Sequence, residues 1–321
     1  MNALQTSSSI KLGKAQPGLV HASMRDCGIC FDLGAVNLRL RSDCGGLAEH
    51  LQRAYAEFPF TTTSSWDDVS VQVRIASGVR RWLKPQAVIS CDGEQRFEPF
   101  PADSALPLFE WGCNWWIGQR SNNLFLLHAG VVERNGLALV MPALPGAGKS
   151  TLTAALSQTN WRMLSDEFGA YDPVEQQFRP LLKPAALKNQ SIDVIRQFSP
   201  HAVFGPEFPK TRKGTVAHLA ASADAVARRH EMAKPGAFLF PKWRAGSPVT
   251  LEPVDESRLF SALTFNSFNY AVLGAVSFEA AVSLARRCPA WQLEYSDLGE
   301  ALAAIDGLWP KVLERHADWQ A

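Results

Sequence analysis

The segment Met141–Thr151, reading MPALPGAGKST, constrains this chain more than any other. An apolar run, Leu137–Val140, precedes it, and a helix-forming run, Thr151–Leu156, follows. Strand, tight glycine turn and helix start together make an anion cradle. Backbone N–H groups around Gly146 and Gly148 are able to face phosphate oxygens, and the helix N-terminus adds positive potential. In such a loop Pro145, Gly146, Ala147, Gly148, Lys149, Ser150 and Thr151 surround the phosphates. Lys149 reaches the β/γ-phosphates of a nucleotide and the Ser150 hydroxyl holds Mg2+. The full pattern begins with glycine where this chain has Ala143, a mild departure because alanine is small. A glycine turn that merely caps a helix leaves Lys-Ser-Thr at the helix start unexplained.

Composition narrows the partners. The 321 residues carry 32 Lys+Arg against 31 Asp+Glu, so the formal charge of +1 gives no electrostatic case for nucleic acid or membrane. No apolar run approaches the ~20 residues that span a bilayer. The opening MNALQTSSSIKLGKAQPG lacks the apolar block of a secretory signal and reads as a flexible tail over residues 1–28. These features point to a cytoplasmic protein with reduced cysteines. Cys27 and Cys30 form a CxxC, but no second pair follows at zinc spacing; only Cys44 and His50 lie near.

The pattern predicts an α/β (α+β) chain in two folded parts. In the first, residues 29–100, Ala35–Leu40 alternates as a strand and a helix places Leu47, Leu51, Tyr55 and Phe58 on one side. Val69, Val71, Val73 and Ile75 alternate in a second strand, and a third near Ala87–Cys91 ends at the turn Asp92-Gly93. The second part, residues 101–321, opens with a tryptophan-rich helix over Ala105–Arg120, whose Trp111, Trp115 and Trp116 suit packing better than cofactor binding. A hairpin, Leu124–Glu133 to Leu137–Val140 around Arg134-Asn135-Gly136, feeds the glycine loop. Strands near Met163–Ser165, Phe178–Leu182, Ala237–Phe240, Val249–Leu251 and Gln292–Tyr295 then alternate with helices at Glu256–Leu263, Glu279–Arg287 and Leu298–Ile305.

Asp166 and Glu167 end the short run Met163-Leu164, and Asp166 follows Lys149 by 17 residues. That interval holds one helix and one turn, so the acid sits on the strand directly after the glycine-loop helix. GTPases and ATPase motors bring their magnesium-side aspartate much later, and no guanine-reading Asn-Lys-x-Asp occurs. A carboxylate beside a transferred phosphate takes the proton of an attacking hydroxyl, and its neighbour binds metal. His128 closes the strand Leu124–Leu127 on the hairpin that feeds the loop. A histidine there is either a satisfied edge residue or one that orients the aspartate and tunes its proton affinity.

Several other groups stay open at this level. Lys188 could reach a phosphate, whereas Asn189 or Ser191 could simply cap a helix ending near Phe198. Thr211–Thr215 is either a basic lid or a solvated loop. Lys242 and Arg244 contact nucleotide or stand in water; Asn266, Asn269 and Tyr270 pack a turn or line a groove; Arg80-Arg81 reads as solvated.

LLHAGVVERNG (126–136), LPGAGKST (144–151) and MLSDE (163–167), taken together, resemble the catalytic domain of HPr kinase/phosphorylase, whose fold is akin to phosphoenolpyruvate carboxykinase. RLRSD (39–43), FEWGCNW (109–115), LKNQSIDVIR (187–196), KGTVAHL (213–219) and FNSFNY (265–270) bring the chain closer to the HPr-kinase-related kinase A group. The resemblance implies a phosphate-loop kinase domain over residues 101–321 behind a smaller N-terminal α+β module. It implies ATP as phosphoryl donor with Mg2+ held by Ser150, Asp166 and Glu167. It also implies Lys149 on the β/γ-phosphates, Asp166 as general base toward a serine hydroxyl, and His128 orienting Asp166. The family carries two aspartates where this chain has Asp166 and Glu167, which shifts the metal role of the second acid. The signature that grips HPr is not evident, so a protein or peptide acceptor, with a small PqqD-like chaperone as partner, fits better than HPr. The N-terminal module is then an oligomerisation or substrate-docking element. The competing readings are a small-molecule hydroxyl kinase of the shikimate or gluconate type, and a non-catalytic ATP-binding scaffold.

Overall fold

A computed structural model describes residues 10–63, 66–78, 80–143 and 146–318. The N-terminal unit contains α1 (Pro17–Arg25), β1 (Ile29–Asp32), β2 (Asn37–Ser42), α2 (Leu47–Ala54), β3 (Phe60–Thr61), β4 (Val69–Ile75), α3 (Arg80–Leu83), β5 (Gln86–Cys91), β6 (Phe100–Pro101) and α4 (Ala105–Arg120). Its six-stranded sheet runs β3-β1-β2-β4-β5-β6. Among the described residues of this sheet only β2 and β4 pair in parallel, and α2 lies in the crossover that a parallel pair needs. Strand β4 forms because Val69, Val71 and Val73 alternate into the core.

Two expectations change here. Residues 1–9 lie outside the described part, but from residue 10 onward the supposed tail is folded. Proline at its first turn starts α1, which buries Val20 and Met24, while Leu12 is fully buried with its N–H donating to the Phe58 carbonyl at 2.8 Å. The boundary at residue 100 also moves. Helix α4 packs on β4 and β5, so closely that a Cβ on Gly112 would overlap Ile89. One apolar core cluster runs from Leu12 through α4 to Val312, so the two parts share a core.

The second unit continues with β7 (Phe125–Arg134), β8 (Leu137–Pro142), α5 (Lys149–Ser157), β9 (Arg162–Ser165), β10 (Phe168–Asp172), β11 (Gln177–Arg179), β12 (Ala185–Lys188) and α6 (Gln190–Phe198). Then come β13 (Phe208–Thr211), β14 (Gly214–Leu219), α7 (Ala223–Ala227), β15 (Lys234–Trp243), β16 (Thr250–Val254), α8 (Glu256–Phe265), α9 (Tyr270–Leu273), α10 (Ala275–Arg287), β17 (Ala290–Tyr295) and α11 (Leu298–Asp318). The predicted mixed α/β architecture is present. An eight-stranded sheet has the order β11-β10-β7-β8-β15-β17-β16, with β9 also on β7, and β12-β14-β13 form a separate three-stranded sheet. The segment Thr211–Thr215, open between lid and loop in the sequence, is the hairpin turn between β13 and β14.

Strand β7 organises everything that follows. It turns into β8 through Asn135 and Gly136, both at positive φ, as a two-residue hairpin with the sheet's twist requires. Strands β8 and β9 both run antiparallel to β7, and Val131 lies opposite Val140 on one side and Ser165 on the other. The ends of β8 and β9 therefore emerge at the same edge of the sheet. A buried ion pair, Arg162–Glu133 at 2.7 Å, pins β9 in that register. Further along β7, β10 takes over and sets Phe168 opposite His128. Helix α5 can lie close against β7 because residue 130 is glycine; a Cβ there would overlap the Thr153 hydroxyl. Among the described residues no helix is long and apolar enough to cross a membrane.

Candidate active site

The edge where β8 and β9 end opens on a cavity of about 770 Å³. Gly146, Gly148, Lys149, Ser150 and Thr151 line one end of it, together with Asp166, Glu167 and His128. The sequence-predicted residues are thus brought into one place, except that Pro145 lies outside the described residues and Ala147 is not on the wall. Ala147 instead accepts a backbone hydrogen bond from Trp243 at 3.1 Å, which ties the loop to β15.

The loop's geometry comes from its glycines. Gly148 has φ +93° and stands at the cap of α5, where a Cβ would come within 2.7 Å of the Tyr295 hydroxyl and 3.2 Å of Trp243 Cβ. Residue 148 must therefore be glycine both for its backbone and for lack of space. Gly146, at φ +88°, faces open space: a Cβ at that position would meet nothing within 4 Å. The first turn of α5 leaves its backbone N–H groups without intrahelical partners, directed at the cavity end where Lys149 and Ser150 stand.

Lys149 is buried, and its ammonium donates to the backbone carbonyl of Asp166 while standing 3.7 Å from that residue's Oδ1. Asp166 is 7% exposed, and its Oδ1 has no hydrogen-bond partner. Burial pushes its carboxyl above the usual aspartate value, against the pull of Lys149 and of a hydrogen bond from Ser150. Glu167 behaves in the opposite way. Burial raises it too, but Lys149, His128, Lys183 and Lys188 together outweigh burial and hold it below the usual glutamate value. The two neighbours are thus shifted in opposite directions, Asp166 toward its protonated form and Glu167 toward its ionised one. Ser165 sets the turn between them, its hydroxyl accepting from the N–H groups of Glu167 at 3.3 Å and Phe168 at 3.0 Å.

His128 corrects one expectation. Its Nε2 lies 3.5 Å from Glu167 Oε1, and Glu167 rather than Asp166 is its carboxylate neighbour. The cause is the register of β10 on β7: with Phe168 opposite His128, and the Ala129 N–H donating to the Glu167 carbonyl at 3.2 Å, the residue beside the imidazole is Glu167. Burial lowers the proton affinity of His128, and Lys149 lowers it further. The ring also meets Phe268 edge-on, with centroids 5.7 Å apart.

The remaining candidates divide. Lys188, Asn189 and Ser191 all line the cavity, and the last two also shape the turn before α6: Ser191 Oγ donates to the Lys188 carbonyl at 2.6 Å, and Asn189 Oδ1 accepts from Thr215 N at 3.1 Å. Lys242 and Arg244 pair with Glu294 away from the cavity, at 2.8 and 3.6 Å. Asn269 is structural, accepting from Leu126 N and donating to the Leu124 carbonyl. The cysteines are all free, and Cys30 is pushed up to about 11 by burial, which makes it an inert thiol.

Sequence reasoning misses the far end of the cavity. Helix α4 contributes Glu110, Trp111 and Asn114 there, facing Lys183 and His218. Lys183 Nζ pairs with Glu110 Oε2 at 2.8 Å and donates to Asn114 Oδ1 at 2.6 Å, while the Tyr55 hydroxyl donates to Glu110 Oε1 at 2.5 Å. The alternation of KGTVAHL, with Val216 and His218 on one face, is the signal that could have found it.

Among the described residues no group of three or more His, Cys, Asp and Glu forms a metal cage. Mg2+ does not ask for one, since it binds through one or two carboxylates plus water and substrate phosphate. Ser150, Asp166 with its unpartnered Oδ1, and the ionised Glu167 are a hard-oxygen set of that kind. No protein-family model matches this chain, and no curated protein matches it.

Proposed function

We propose that this chain is a Mg-ATP-dependent kinase that transfers the γ-phosphoryl group to a serine hydroxyl of a protein or peptide, in the manner of the HPr kinase/phosphorylase superfamily it resembles. The observation that carries the reading is the meeting of Lys149 and the buried Asp166 at the mouth of a glycine loop capping a helix. Lys149 is positioned to exchange the Asp166 carbonyl for phosphate oxygens, and the loop amides to complete the cradle. Ser150 and Glu167 would hold Mg2+, which supplies charge neutralisation on the phosphates.

Asp166 is the general base. Burial raises its proton affinity, which suits it to accept the hydroxyl proton, whereas the cations around Glu167 favour that residue's ionised form. Asp166 takes the proton of the attacking hydroxyl as that oxygen bonds to phosphorus and the bond from phosphorus to the β-phosphate oxygen breaks, releasing ADP. His128, neutral by burial, fixes the Glu167 carboxylate rather than the base. A non-catalytic scaffold would have no use for a buried carboxylate with an oxygen that accepts no hydrogen bond. The test is γ-labelled ATP with candidate peptides and Asp166→Asn. Transfer is expected to fall by about 10²–10⁴-fold, with Mg-ADP affinity nearly kept. Transfer at the wild-type rate would remove Asp166 as base.

A further inference from the structure

Two buried side-chain atoms without a hydrogen-bond partner belong to residues on the wall of this one cavity: Asp166 Oδ1 at the glycine-loop end and His218 Nδ1 at the far end. Buried polar atoms are rarely left unpaired, and each exception asks for a cause. The phosphoryl chemistry proposed above accounts for Asp166 but leaves His218 unexplained. His218 is only 1% exposed. It sits on β14 opposite Ala186 of β12, so that these two residues, with Lys188 and Val216, form the wall.

The cations on the wall of this cavity are unevenly partnered. Lys183 is satisfied by Glu110 and Asn114, but Lys188 and Lys213 have no carboxylate partner among the described residues. The Lys213 ammonium is held at the rim by the Trp111 ring of α4, 5.0 Å from its centroid. Burial lowers the proton affinity of Lys188, and the charge of Lys213 lowers it further, so the two ammoniums crowd each other. Lys188 acts electrostatically on both ends: on Asp166 and Glu167 on one side and on His218 on the other. Burial lowers the proton affinity of His218; Glu110 opposes this, and Lys183 and Lys188 add to it, so the neutral ring is favoured, and a neutral imidazole still has one N–H to donate. Two cations with no carboxylate at ion-pair distance and a neutral N–H, all on the wall of one cavity, match a carboxylate.

We infer that the inner compartment binds the acceptor through a carboxylate held between Lys188 and Lys213 and hydrogen-bonded by His218, with the hydroxyl to be phosphorylated on the side facing Asp166. The inference rests on the kinase reading for the hydroxyl, but the carboxylate site stands on its own geometry. It makes the N-terminal unit part of the acceptor site, because Trp111 sets the position of Lys213. The carboxylate belongs either to a small hydroxy acid or to an acidic residue beside serine in a peptide.

The full chain saturated with Mg-ADP is titrated calorimetrically with two probe pairs. One is glycerate and its uncharged amide; the other is a capped peptide carrying Ser-Asp and its Ser-Asn counterpart. One carboxylate probe is expected to bind at least about tenfold more tightly than its neutral partner, and which pair responds identifies the source. Lys213→Met and His218→Phe each abolish that preference, and Lys213→Arg restores it. The inference is overturned if neither carboxylate outcompetes its neutral partner, or if the preference survives Lys213→Met. Should Mg-ADP itself fail to bind, the kinase reading falls, and the same titration without nucleotide still decides the carboxylate site.

Discussion

The Lys149 ammonium is hydrogen-bonded to the main chain of Asp166 and stands 3.7 Å from its side chain, so one residue of the glycine loop engages both the backbone and the carboxylate of the acid that follows β9. That contact holds the loop helix and the strand after it together, and it keeps Lys149 extended toward the cavity. Removing the charge tests both roles. In Lys149→Met, Mg-ADP affinity is expected to drop by about 10–100-fold, the scale of charge-assisted hydrogen bonds. Turnover falls with it. Asp166 loses the cation that opposes its desolvation, so its proton affinity rises further. Calorimetry with Mg-ADP and a pH–rate profile read the two effects; unchanged affinity would remove Lys149 from the phosphate site.

The two loop glycines make different demands, which a paired substitution separates. Gly148→Ala meets an unfavourable φ and the Tyr295 hydroxyl at once. Gly146→Ala meets only the backbone cost, about 1–2 kcal/mol. Nucleotide affinity should therefore fall much more in Gly148→Ala, and Tyr295→Phe should relieve part of that loss by removing the oxygen the new methyl strikes. Equal effects of the two alanines, measured by nucleotide titration and thermal unfolding, would show that loop conformation rather than crowding governs the site.

What the sequence makes legible and what it hides follow from range. The glycine loop, the acid pair and the Asn135-Gly136 hairpin are local signals, and the helix over Ala105–Arg120 is bounded by local pattern as well. The carboxylate beside His128 is decided by the pairing of Phe168 with His128, and adjacent acids in sequence offer no hint of register. Lys213 and Gly214 look like surface turn residues, which is what they are; the alternation through Val216 and His218 marks β14, but nothing local says that its inward face meets α4 across the cavity. The N-terminal segment resembles a tail because its buried side chains, Leu12, Val20 and Met24, are sparse among polar neighbours. The role of α4 in the cavity needs the first sheet to be placed, a tertiary fact.

His128 offers a pH readout that does not depend on activity. Burial and Lys149 depress its proton affinity, while Glu167 raises it. Its NMR titration midpoint is expected below the ordinary value of 6.5, lower still in Glu167→Gln and higher in Lys149→Met. The stability sign follows. With the folded value below the unfolded one, the unfolded chain binds more protons between the two, so stability is full above 6.5 and declines as pH falls toward the folded value. Buried His218 acts in the same direction. A midpoint above 6.5 for His128 would mean that Glu167 dominates its surroundings.

The shared core predicts what separating the two units does. In a fragment of residues 101–321, α4 keeps Ala105, Leu106, Leu108, Phe109, Cys113, Trp116 and Ile117, each 2% exposed or less in the whole chain, but loses β4 and β5 beneath them. At about 1.5–3 kcal/mol for each large side chain, exposing that face costs on the order of 10 kcal/mol, comparable to the whole stability of a typical domain. Glu110 also loses the Tyr55 hydroxyl, which weakens the buried pair with Lys183 at the cavity's far end. The fragment is therefore expected to aggregate or to lack a cooperative thermal transition, and not to bind Mg-ADP. Supplying residues 1–100 by co-expression should recover soluble material, since the lost contacts are noncovalent. A soluble fragment that unfolds cooperatively at the temperature of the intact chain would show that the N-terminal unit is an appendage, and that α4 finds its support elsewhere.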